Sequence, residues 1–210
     1  MVKGIDIFRE HFAAHTDNYI LIGGSACDLL FKEAGGQFRA TKDLDIVLTI
    51  ETLSHEFGAA MWSFLDNGKY AVHQKSDGQD CFYRFKSPAN EAYPHMIELF
   101  SRSPGFELRP GSAATPIHWQ EINDADAKSL SAILMSATYY DFIHSGKILI
   151  DGISTVGAPY LIPMKMRAWI DHLERKAIGE EVDSRDIKKH RNDILRLSQL
   201  LTPGERFSIS

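Results

Sequence analysis

Apolar and polar residues along the chain follow two periods, and the switches between them sketch a mixed α/β protein. Over residues 5–15 the apolar positions Ile5, Phe8, Phe12 and Ala13 fall on one side at helical spacing, and the run Tyr19-Ile20-Leu21-Ile22 then predicts a strand. Gly23-Gly24-Ser25 interrupts that run, Ala26 to Lys32 returns to a helical pattern, and Gly35-Gly36 breaks it again. Leu44-Asp45-Ile46-Val47-Leu48 predicts a second strand, and residues 51–66 a helix that turns Phe57, Met61, Phe64 and Leu65 inward. Further strands are expected at 69–75, 81–86 and 94–100, separated by the turn sequences Asp77-Gly78 and Ser87-Pro88-Ala89-Asn90.

Beyond about residue 124 the helical period dominates. Leu130 to Ile143 reads as helix, Lys147 to Ile150 as strand, and residues 160–178 and 184–201 as two more helices. The expected fold class is therefore α/β (α+β), divided into a mixed-sheet part over residues 1–120 and a largely helical part over 121–210. Neither an internal repeat nor a low-complexity segment interrupts this order.

Composition narrows the class without choosing a function. With 44% apolar and 24% charged residues the chain is an ordinary globular sequence rather than a disordered one. A net charge of −5 excludes a generally basic, nucleic-acid-coating surface, so any contact with a phosphate chain must be local. Cys27 and Cys81, the only two cysteines, lie in segments that read as buried, which suits a reducing compartment and offers no zinc spacing. The N-terminus lacks an apolar run behind a basic start and no stretch is long and apolar enough to span a bilayer, so the protein is expected in the cytoplasm.

Chemistry enters at three places. Asp43 and Asp45, one residue apart on an expected strand, project to the same face, and two neighbouring carboxylates repel unless a cation joins them. Mg²⁺ is the cation that such a pair fits, because it takes a few carboxylate ligands and leaves the rest of its shell to water and substrate phosphates. Gly24 and Ser25 stand where a strand runs into a helix, a place where free backbone N–H groups attract phosphate; an N-cap role for Ser25 explains the same residues. Glu98, in His95-Met96-Ile97-Glu98-Leu99-Phe100, is a lone acid within an apolar strand run, and beside the Asp-x-Asp strand it can join the metal site and take a proton from an attacking hydroxyl.

Strand, Gly-Gly-Ser, helix, Asp-x-Asp strand and later acid, in this order, resemble the nucleotidyltransferase superfamily with the polymerase-β-like fold. More narrowly, Ile22-Gly23-Gly24-Ser25-Ala26, Arg39-Ala40-Thr41-Lys42-Asp43-Leu44-Asp45 and the late run from Asp186 through Lys189 and Asp193 to Leu197 resemble the AbiEii-type toxin family. The resemblance implies an N-terminal catalytic lobe and a helical C-terminal lobe, Mg²⁺ as cofactor and a nucleoside triphosphate as substrate. It also implies an acceptor such as tRNA or another RNA, and a cognate antitoxin protein. It matches Lys165 to a lysine that reaches the triphosphate, and Lys189 with Asp193 to a functional lysine–aspartate pair. Seventeen residues separate Ser25 from Asp43, more than is usual in the superfamily, and imply an enlarged loop around Gly35-Gly36.

The residues also have plainer readings. Lys165 suits a snorkelling surface lysine, with Arg167 a weaker phosphate ligand, and Asp186, Lys189, His190, Asp193 and Arg196 recur at helical spacing as bracing charges would. Neither a P-loop nor a Gly-x-Ser-x-Gly elbow is present, which argues against those enzyme classes. The expectation is thus a Mg²⁺-dependent nucleotidyltransferase. A small-molecule transferase of the aminoglycoside-modifying kind and a non-catalytic binding module are the alternatives.

Overall fold

The computed structural model describes residues 2–74, 80–102, 114–117, 130–202 and 204. The chain opens with α1 (Ile5–His11), a 3₁₀ turn at Ala13–His15, β1 (Tyr19–Ile22), α2 (Gly23–Glu33) and β2 (Asp43–Leu48). Then follow α3 (His55–Gly68), β3 (Ala71–Gln74), β4 (Asp80–Lys86), β5 (Met96–Arg102), β6 (Ala114–Ile117) and β7 (Leu130–Met135). The last elements are α4 (Ala137–Ser145), β8 (Lys147–Ile150), β9 (Ile153–Val156), α5 (Ala158–Ala177) and α6 (Ser184–Leu197), ending in a 3₁₀ turn at Ser198–Leu200.

All the strands join one mixed sheet, in the order β3-β4-β5-β2-β1-β9-β8, with β7 alongside the end of β5 and β6 paired to β7. β1 runs antiparallel to β2 and parallel to β9, while β2 and β5 are parallel. Period-two alternation sorts the side chains into two cores. Tyr19 and Leu21 of β1, Leu44, Ile46 and Leu48 of β2, and Ile97 and Leu99 of β5 pack with Phe8 and Phe12 near α1 and with Phe57, Met61 and Phe64 of α3. Ile20, Ile22 and Val47 face the other way, onto Ala26, Cys27 and Phe31 of α2, Tyr140 and Ile143 of α4, and Leu161 and Met164 of α5.

Local chemistry explains the element ends. The Ser54 side chain accepts from the Phe57 amide at 3.3 Å to start α3, which stops at Lys69 in the left-handed region with φ 52°. Ser136 starts α4 in the same way, through the Tyr139 amide. No helix among the described residues is long and apolar enough to cross a membrane.

Three expectations change. Leu130–Met135 is a strand, not the start of a helix, and helix begins only at Ala137. A strand at Ile153–Val156, absent from the sequence reading, lies between β1 and β8 and is buried along its whole length. The residues beyond 120 accordingly supply three strands to the shared sheet as well as α4, α5 and α6. The Asp77-Gly78 turn lies outside the described residues, as does the side chain of Cys81, whereas Cys27 is a free thiol buried in α2.

Candidate active site

The acids are collected by strand register. On β2 the alternation that sends Leu44 and Ile46 to one core leaves Asp43 and Asp45 on the opposite face, the side of α2 and α5. Asp45 stands beside Ile22 of β1 in one direction and Glu98 of β5 in the other. The three carboxylates therefore share one face at the end of the sheet where β1 turns into α2. Burial, reinforced by the charges of Glu98 and Asp43 and opposed by Lys165 and Lys189, pushes the Asp45 carboxyl up to about 6. Such a group is held in surroundings that penalise its negative charge, and a divalent cation would relieve that penalty.

Glu98 is paired with Arg84 of β4, the residue opposite it in the antiparallel register. Among the described residues no group of three His, Cys, Asp or Glu side chains converges closely enough to hold a metal ion by itself. Asp43 and Asp45 suit the other arrangement, in which Mg²⁺ takes one or two carboxylates and completes its shell with water and substrate phosphate.

Gly23 and Gly24 make the turn that brings α2 next to these acids. Gly23 has φ 70°, and a Cβ there would strike the Asp45 carboxylate, so the position excludes side chains on two counts. A Cβ on Gly24 would come within 2.6 Å of the Thr41 hydroxyl oxygen. Among the described residues no side chain caps the helix, and Gly23 and Gly24 line the cleft, which sets the positive end of the helix dipole beside it. Ser25 does not cap it either. Its hydroxyl is fully buried and donates to the Ile22 carbonyl at 3.0 Å, on the inner side of the turn.

Basic residues from α5, α6 and the link between α2 and β2 also line the cleft. The cleft encloses about 340 Å³ and is lined by Gly24, Arg39, Asp43, Asp45, Lys165 and Lys189 among others. Lys165 is buried rather than a surface lysine, and its Nζ lies 3.1 Å from Asp193. Asp193 also receives a two-point fork from Arg39, with Nε and Nη2 each at 2.8 Å. Burial alone would raise the Asp193 carboxyl, but the Arg39 fork and Lys165 outweigh it and hold it below the usual carboxylate range. Both Asp193 oxygens are thus occupied, and it bears on the cleft through these two cations.

Lys189 reaches the cleft half-exposed, with Asp186 at 3.9 Å on its own helix. His190 also lines the cleft and stacks on His172 of α5, ring centroids 5.3 Å apart. Burial, with Lys165, Lys189 and His172 around it, drives the His190 imidazole down to about 4, so it is neutral near pH 7. Arg167 is exposed and away from the cleft lining. Arg196 donates to the Gln37 carbonyl at 2.5 Å and lies over the rings of Phe31 and Phe38.

No protein-family model matches this chain, and no curated protein is significantly similar to it. Solved structures similar to this chain include the following two. The solution structure of the antibiotic-resistance factor ANT(2'')-Ia shares 13% identity, covering 94% of this chain and 88% of that one, with a TM-score of 0.41. The lincomycin-bound crystal structure of the lincosamide antibiotic adenylyltransferase LnuA shares 14%, covering 96% and 98%, with a TM-score of 0.47.

Of the residues expected from sequence, Gly24, Asp43, Asp45, Lys165 and Lys189 line one cleft. Glu98 adjoins it through register with Asp45, Asp193 stands behind it, and Ser25 is turned away. The sequence assigns no role to Arg39, Thr41 and Lys42, although they belong to the motif run that ends at Asp45, nor to Arg84. The first three precede Asp43 in a stretch with no periodic signal, and Arg84 looks like any outward residue of a strand until β4 is set against β5.

Proposed function

We propose that this cleft binds a nucleoside triphosphate with Mg²⁺ and transfers its nucleoside monophosphate to an acceptor hydroxyl. The observation that carries the reading is the meeting of Asp43 and Asp45 with the uncapped N-terminus of α2 across a glycine turn too tight for a side chain. Asp43 and Asp45 would hold the metal, and the α2 backbone N–H groups, Lys165 and Lys189 the phosphates. When bound, the metal supplies neutralisation of the charge that develops on the phosphoryl oxygens. Glu98, once Arg84 gives way to the acceptor, takes the hydroxyl proton. The acceptor oxygen then bonds to the α-phosphorus as the bond to the bridging oxygen breaks and pyrophosphate leaves. Helices α5 and α6, from the expected C-terminal lobe, close the basic side of the cleft.

The acceptor rests on the motif resemblance alone. An AbiEii-type chain would act in the cytoplasm as the toxin of a toxin–antitoxin pair and modify RNA, with the tRNA 3′ end as the first molecule to test. The decisive assay incubates the protein with each α-³²P-labelled nucleoside triphosphate, Mg²⁺ and total RNA, and in parallel with hydroxyl-rich antibiotics. Label on RNA supports the RNA acceptor, and label on an aminoglycoside or lincosamide moves the reading to the small-molecule class. Asp43→Ala or Asp45→Ala should cut transfer by about 10³-fold or more with the melting curve retained. A double variant that still labels its acceptor would sink the proposal, and absence of nucleotide binding would leave a binding module.

A further inference from the structure

We infer that Arg39 holds the triphosphate beside the start of α2 and that Asp193 is a positioning residue acting through it, an inference that rests on the nucleotide-transfer reading above. Arg39 lies in the link of residues 34–42, which has no helix or strand. A long side chain on such a segment samples many rotamers, and fixing it costs entropy. Arg39 is nevertheless held from several sides, by both 2.8 Å bonds to Asp193, by the Ala40 carbonyl 3.5 Å from Nη1, and by the Phe38 ring 5.2 Å below.

The fork uses Nε and Nη2 and leaves donors on the outer edge of the guanidinium, on a side chain that lines the cleft. Nη2 comes within 3.7 Å of a Cβ built on Gly24, so the cation sits against the backbone that opens α2. Helix N–H groups and a rigid guanidinium side by side form a composite anion cradle. Asp43 and Asp45 line the same cleft, with the Asp45 carboxylate against Gly23 as Arg39 is near Gly24, so phosphate and metal ligands meet at one turn.

A purely structural account does not explain the fork. Lys165 alone neutralises Asp193, and the Arg196 bond to the Gln37 carbonyl already ties the link to α6. Adding Arg39 leaves two cations on one buried carboxylate, an excess of positive charge that an arriving triphosphate balances. Lysine cannot replace it, because a point charge makes no planar two-point contact that leaves further donors aimed outward.

The test compares full-length wild type with Arg39→Ala, Arg39→Lys and Asp193→Asn, measuring affinity for nucleoside triphosphates and monophosphates with Mg²⁺ by calorimetry, and kcat and KM for transfer. Arg39→Ala should weaken triphosphate binding by about 10- to 100-fold and leave monophosphate binding unchanged, with millimolar guanidinium restoring part of the loss. Asp193→Asn should raise KM for the triphosphate with little change in kcat, a split that mere loosening of the fold would not produce. Should Arg39→Ala fail to fold, Arg39→Lys carries the same test and should lose triphosphate affinity in the same direction. Triphosphate binding equal to wild type in the folded variants overturns the inference and leaves nucleotide transfer standing. A wild-type protein that binds no triphosphate overturns both.

Discussion

The two faces of the sheet are built from the same strands and end in different chemistry. Against α1 and α3 the inward residues of β1, β2 and β5 are apolar except Ser101, whose buried hydroxyl donates to the Leu48 carbonyl, and aromatic rings meet edge to face, as Phe8 does with Tyr19 and Phe64 at 5.1 and 5.7 Å. Against α2 and α5 the apolar pattern holds in the middle of the sheet and gives way to Asp43, Asp45 and Glu98 at one end. One face thus stabilises the protein, while the other gives up part of that stability to keep charges crowded at the cleft. Proteins commonly carry this cost where they bind or react.

Truncation on the apolar face gives the largest expected effect. Phe64→Ala should lower stability by about 3–5 kcal/mol, since its ring is fully buried against Phe8, Phe12 and Tyr93. Transfer per folded molecule should stay as it was; chemical denaturation and a single-turnover assay on the folded fraction would test the pair of claims. The opposite outcome is expected on the charged face. Asp45→Asn removes a penalised charge and should stabilise the metal-free protein at neutral pH by about 1–2 kcal/mol while abolishing transfer. A melting temperature below wild type would break the comparison.

The smallest effect concerns His190. Its folded-state imidazole titrates at about 4, while an unfolded histidine titrates near 6.5. The unfolded chain therefore binds the extra proton first, and stability should fall as pH drops from about 6.5 towards 4 and be constant in this respect above that window. His190→Gln should flatten that part of the acid limb, with Lys165, Lys189, His172 and Asp193 left around the site. Melting curves collected across the window would test it, and an unchanged slope would contradict the assignment.

The half of the site that is local in sequence is legible from its own pattern, whereas the distant Lys165, Lys189 and Asp193 are reached only through the motif resemblance. Tyr19 to Ser25 and Asp43 to Leu48 each combine a strand pattern with glycine or paired acids, so element and chemistry could be read together. Leu130–Met135 was misread because a short apolar run fits a buried strand and a helix equally well. Ile153–Val156 escaped notice because Ser154 and Thr155 look polar, yet both are buried and the Thr155 hydroxyl donates to the Leu21 carbonyl at 3.1 Å. Its signpost was Asp151-Gly152, a turn with both residues at positive φ that joins β8 to β9. The Arg39–Asp193 fork joins residues 154 positions apart and has no sequence signature.

The position of β9 also sets the order in which the protein can be assembled. β1 carries the turn into the cleft, yet the strand on its second side is linked to it across 134 residues, through Thr155 and Leu21. On the ribosome, residues 19–22 emerge long before that neighbour exists and must wait with one edge of backbone N–H and C=O groups unpaired. A loop closure of that length is slow, so completion of the active face belongs to the end of folding. The nascent chain therefore completes this cleft only after most of it has been made.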